Sequence, residues 1–140
     1  MTILSSAYDN VDHCDSKRTT DNQLKYVNSC LRLAKMSSLT HKHGCVIVDP
    51  RSNEIVGTGY NKKITNPNLN SSFHSIHAEV DALNSIRSKK TTKSMYHMYI
   101  IRLGSPHGYN TKYSKPCDIC TKLINKSNLI QKVYYSTNTV

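Results

Sequence analysis

No stretch of this 140-residue chain approaches the ~20 consecutive apolar residues of a membrane-spanning helix. The N-terminus also lacks the apolar core of a secretory signal. A soluble, intracellular protein with no membrane partner is therefore expected. Acidic residues are scarce: nine Asp and Glu face nineteen Lys and Arg, a formal net charge of +10. There are five cysteines. With Cys117 and Cys120 set aside as a spaced pair, Cys14, Cys30 and Cys45 form an odd remainder, which argues against a disulfide framework and for a reducing compartment.

What the chain does have is compatible with one domain and one core. Residues 1–20 are polar without apolar periodicity and read as a flexible arm, leaving 21–140 as the domain. Thr20 and Gln23 make a capping box for a helix from Asp21 to about Met36, with Leu24, Val27, Leu31 and Ala34 on one face. Cys45 to Asp49 and Glu54 to Tyr60 read as strands joined by a turn at Pro50 to Asn53. A loop from Asn61 to Phe73 leads to a second helix, opened by Ser75 as N-cap and continued by Ile76, Val80, Leu83 and Ile86. Tyr96 to Leu103 is a third strand. The Gly104 to Lys115 loop after it exceeds the usual ~2 to 6 residues, so His107, Tyr109 or Tyr113 either touches a ligand or packs the loop. After a third helix, Val133 to Ser136 is a fourth strand, parallel to the third across a crossover.

Two short pieces carry chemistry. His77-Ala78-Glu79 and Pro116-Cys117-Asp118-Ile119-Cys120 together supply three soft metal ligands and one free carboxylate. Structural zinc is usually closed by four protein ligands, whereas catalytic zinc keeps three and leaves the fourth position to water. Cys117 and Cys120, three apart at a helix start behind Pro116, place both sulfurs on one face, where unpaired N–H groups and the helix dipole favour thiolates. His77 and Glu79 are two apart, so both serve one metal only in a first turn beside an ion off the helix end. Zinc lowers the pKa of bound water from about 15.7 towards about 7. Glu79 is then the natural proton carrier to a ring nitrogen and a leaving amine, which implies an amino-substituted aromatic heterocycle as substrate.

H-A-E followed by P-C-x-x-C resembles the zinc-dependent cytidine and deoxycytidylate deaminase superfamily, a signature of zinc deaminases. The resemblance runs from about Asp21 to Ser136. It implies one zinc per chain on His77, Cys117 and Cys120, with water as fourth ligand, and Glu79 as the catalytic proton shuttle. The segment Gly44 to Asn61, GCVIVDPRSNEIVGTGYN, is similar to the family's first hairpin, whose terminal asparagine contacts substrate, so Asn61 is the substrate-binding expectation. SIHAEVDAL and KVYYST are closer to the nucleotide and deoxycytidylate branch. The implied fold is a three-layer α/β, cytidine-deaminase-like architecture with a mixed sheet of about four strands flanked by helices. After Ser136 only four residues follow, so the further helix and strand of many relatives are not expected; the fourth strand would then be an open edge, and a homo-oligomer is expected.

The charge suggests an anionic partner, a nucleotide or nucleic acid. Lys62 and Lys63 follow Asn61, and Lys112 and Lys115 precede the cysteines; these pairs would flank a pocket mouth, with Lys62 as a substrate contact. The alternative is a solvated surface, to which Arg87, Lys89, Lys90 and Lys93 at a helix end belong. Other readings stay open. C-x-x-C also suits a redox pair or half a structural zinc site; a fourth ligand from His74, His97, His107 or Cys45 would make the metal structural. A polynucleotide deaminase and a non-catalytic zinc module binding nucleic acid are the competing functions. A second metal on His41, His43 or His74 is not favoured, because histidines so scattered are more often surface or core residues.

Overall fold

A computed structural model describes residues 4–6, 21–64, 74–86, 95–104 and 111–137. Cys14, Thr20, Arg87, Lys89, Lys90, Lys93, His107 and Tyr109, each named in the expectations above, lie outside the described residues. The elements in chain order are β1 (Leu4–Ser6), α1 (Asp21–Met36), β2 (Lys42–Asp49), β3 (Glu54–Tyr60), β4 (Lys62–Ile64), β5 (His74–Ile76), α2 (Ala78–Ser85), β6 (Tyr96–Leu103), β7 (Thr111–Lys112), α3 (Asp118–Ser127) and β8 (Ile130–Ser136).

The main sheet runs β1-β8-β6-β2-β3, with β7 added to β6. It is mixed: β6 and β8 pair in parallel, as expected of a crossover through α3, and its other ladders are antiparallel. The strand alternation of period two sorts side chains into two cores. Val46, Val48, Tyr99 and Ile101 pack with Tyr26, Val27 and Cys30 of α1 on one face. Cys45, Ile47, Met98, Ile100 and Val133 pack with Ala78 and Ala82 of α2 and Ile124 of α3 on the other. A central mixed sheet flanked by three helices in three layers is therefore the architecture, with more strands than the four expected.

Four short strands escape a periodicity reading because two or three residues are too few to show one: β1, β4, β5 and β7. Leu4–Ser6 departs from the flexible arm expected over residues 1–20, since it pairs antiparallel with Tyr134 to Ser136. That ladder covers the side of β8 expected to be an open edge. The α1 stripe is also rotated. Val27 and Ala34 are buried, but Tyr26 and Cys30 join them while Leu24 is 40% exposed. The cause lies in β2: a Cβ at Gly44 would collide with the Cys30 carbonyl, so glycine there lets α1 settle on its Cys30 side. The turn after β2 closes with Asn53 in the left-handed region, φ 57°, and its N–H on Asp49 O at 2.8 Å.

Candidate active site

His77 and Cys117 occupy equivalent places. Each is the N-cap of its helix, with extended backbone (φ −74°, ψ 152° and φ −68°, ψ 168°), and neither side chain caps the helix. Their carbonyls accept the first helical bonds, from Asp81 N at 3.1 Å and Thr121 N at 2.8 Å, so both side chains are released towards a common point. Ser75, expected as the α2 cap, lies instead in β5, paired with Lys63. The requirement that His77 and Glu79 share a helix start is met by a shift of register: His77 caps α2 and Glu79 is its second residue.

The N-termini of α2 and α3 thereby converge. His77 Nδ1 lies 3.1 Å from Cys120 Sγ and 3.7 Å from Cys117 Sγ, and the three donor atoms all fall within 4.8 Å of one another. Four-coordinate zinc with bonds of about 2.0–2.3 Å separates its nitrogen and sulfur ligands by about 3.6 Å, so the donors fit a tetrahedral ion. Burial, and then Glu79, push the Cys120 thiol up, against the expectation that a helix start alone favours thiolate. Desolvation outweighs the dipole there, and a cation held among the donors would reverse the balance. Nothing else among the described residues forms a comparable group of metal donors. Cys45 is fully buried in the core, and His97 lies against Tyr134 and Gln131, so neither serves as a fourth ligand; the side chain of His74 lies outside the described residues.

Beside the donors is a cavity of about 350 Å³, lined among others by His41, His43, Asn61, Glu79, Ser114 and Lys115. That volume is in the range of small-molecule sites, about 300–1,000 Å³. Glu79 is only 6% exposed. Burial pushes its carboxyl up, opposed by hydrogen bonds from its own backbone N–H and from Cys120 and by the nearby His77. Asn61 is buried and does two jobs with its amide: Oδ1 accepts from His43 N at 2.8 Å and Nδ2 donates to His41 O. One N–H and one lone pair remain to it.

Lys62 is not brought into the cavity. Its ammonium pairs with Asp81 at 3.0 Å and lies over the Tyr60 ring, 4.2 Å from the centroid. Lys115 does line the cavity. Tyr113 packs edge-on against Tyr135 at 5.6 Å, the loop-packing alternative. His41 and His43 were left aside as scattered histidines, yet both line the cavity. Nothing in the local pattern singled them out: His43 lies in β2 and His41 just before it, and the pairing of β2 with β6 is what positions them. Burial first, and then Arg102, push the His43 imidazole down to about 4. The loop bearing Cys117 is pinned from behind: Ser114 Oγ donates to Ile100 O at 2.8 Å and accepts from Ser136 N at 2.8 Å.

No curated protein sequence matches the chain. Among solved structures it is similar to the dCMP deaminase of the cyanophage S-TIM5. The apo form gives a TM-score of 0.55 at 19% identity, covering 80% of this chain and 79% of that one. The complex with dCMP and dUMP gives 0.58 at 18% identity, covering 85% and 83%. The profile of the cytidine and deoxycytidylate deaminase zinc-binding region matches residues 20–137. With the His, Cys and Cys donors gathered at two helix starts on that fold, the chain belongs to the cytidine and deoxycytidylate deaminase zinc-binding family.

Proposed function

We propose that residues 21–140 form a zinc-dependent deaminase that converts the cytosine of a free nucleotide, deoxycytidylate-like, to uracil. The observation that carries this reading is Glu79, a carboxylate buried in a ligand-sized cavity beside three metal donors and bonded to one of them. In this reading His77, Cys117 and Cys120 hold zinc, which supplies Lewis-acid activation of water near neutral pH. Glu79 takes a proton from the attacking water and delivers it to the ring nitrogen N3. It then carries the second water proton to the 4-amino group, which leaves as ammonia. Burial suits a carboxyl that must alternate between base and acid. The remaining N–H and lone pair of Asn61 orient the substrate, and Lys115 stands at the cavity as a cation for an anionic substrate.

A polynucleotide substrate is the second reading, favoured by a groove along α1 lined by Lys25, Arg32 and Lys35 with Leu24 and Leu31. It calls for binding that weakens steeply with salt. A zinc module that only binds nucleic acid would hold its ligand in Glu79→Ala without turnover by any form of the protein. Ammonia release from dCMP by the zinc-loaded protein, beside Glu79→Ala, separates these. The expected result is release by the wild type and a loss of at least about 10²-fold in the variant, with zinc retained by metal analysis. Deamination at the wild-type rate by the variant would overturn the role of Glu79. No release by either, with zinc bound, would overturn the nucleotide substrate.

A further inference from the structure

Arg102 lies on β6 directly opposite His43 of β2, on the side of the sheet that carries the cavity. Its backbone N–H donates to Ser136 Oγ at 3.1 Å, which fixes the strand at that point. Its guanidinium is less well served. Nη2 meets His41 Nδ1 at 2.7 Å, while Nε is buried without a hydrogen-bond partner. The ion pairs among the described residues are Arg51 with Asp49 and Lys62 with Asp81. The charge of Arg102, partly buried, is thus balanced by no carboxylate among the described residues, an arrangement that costs free energy until an anion arrives.

The contact with His41 also settles a proton. Arginine has donors and no acceptor, so His41 Nδ1 must offer its lone pair, and its proton sits on Nε2. His41 lines the cavity, as does Lys115. His41 and Lys115 therefore offer the cavity an N–H donor and an ammonium, and the Arg102 guanidinium, itself not among the lining residues, stands behind His41 and adds its charge there.

We propose that Arg102 and His41 form the subsite for the phosphate of a nucleoside monophosphate, Arg102 supplying the charge and His41 the Nε2–H donor. The inference rests on the nucleotide reading above and names the residues that make that substrate a nucleotide and not a nucleoside. A terminal phosphate monoester carries about −1.5 to −2 charges near pH 7, more than a phosphodiester link, so a free mononucleotide balances the site better than a strand does.

The test is calorimetric titration of the zinc-loaded protein with dUMP, deoxyuridine and inorganic phosphate, none of which requires turnover. Wild type should bind dUMP at least about tenfold more tightly than deoxyuridine, the worth of a charge-assisted hydrogen bond. Arg102→Gln should bring the two affinities close together by weakening dUMP alone. Should that variant fail to fold, His41→Phe, which removes both the acceptor and the Nε2–H, should narrow the same ratio. A wild type that does not prefer dUMP, or a ratio that survives in whichever variants fold, would overturn the subsite. If neither dUMP nor deoxyuridine binds but phosphate binds the wild type and not Arg102→Gln, the subsite stands and the cytosine reading fails. If phosphate and dUMP both fail to bind, the subsite is wrong.

Discussion

His43 lines the cavity and is paired across the ladder with Arg102, and burial and the Arg102 charge both oppose its protonation. An unfolded chain takes up this proton near pH 6.5, whereas the folded chain resists it until about pH 4. Between those values the unfolded state binds more protons, so stability rises with pH across the window and is lost as pH falls through it. The loss attributable to His43 approaches at most about 3 kcal/mol at pH 4. Urea unfolding of wild type and His43→Gln from pH 7 to pH 4 should show a flatter profile in the variant; parallel profiles would remove His43 as the cause. The contrast with His77 explains what could be read from residues alone. Metal donors are restricted to a few residue types at fixed spacings, so His77, Cys117, Cys120 and Glu79 stood out. The importance of His41, His43 and Arg102 depends on the register of β2 against β6, a pairing of residues far apart in sequence. No local pattern encodes it. Lys62 follows Asn61 in sequence, but its ammonium pairs with Asp81 and it is not among the residues lining the cavity.

At the scale of elements, α1, the two strands of the first hairpin and the later parallel pair were legible, because each has enough residues to show a period. The short strands were not, and the start of α2 was misplaced because a serine cap is the common choice while this helix uses His77. What seats the helices is close approach at glycine. A Cβ at Gly59 on β3 would collide with Ala82 N and Ala78 O of α2; a Cβ at Gly44 would meet α1 at Cys30 and Ala34. Both Gly59→Ala and Gly44→Ala should lose at least about 2 kcal/mol in denaturant titrations, since backbone cannot yield as a side chain can. Their effects on zinc should differ. Gly59→Ala displaces the helix that carries His77 at its cap and Glu79 in its first turn, and should weaken zinc affinity measured by competition with a chelating dye. Gly44→Ala moves α1 on the opposite layer and should leave that affinity near wild type. Equal zinc affinities in the two variants would break the link between α2 seating and the donor geometry.

For the whole molecule, the central sheet includes a ladder between the two described strands farthest apart in sequence, β1 and β8. Removing residues 1–6 would leave the outer side of β8 unpaired, and an unpaired strand edge is a template for another chain. Sedimentation over a range of concentrations should show the shortened protein shifting to larger species relative to the full chain. An unchanged distribution would mean that the edge is protected by other means. The same ladder has a consequence for how the protein is made. During translation β1 leaves the ribosome well before the Tyr134 to Ser136 stretch it pairs with. The α1, β2 and β3 unit can assemble early from local contacts, but β1 must wait for its partner until residues 134–136 have emerged. Its docking therefore follows the assembly of that unit, and the interval before it is when the nascent chain is open to capture by chaperones.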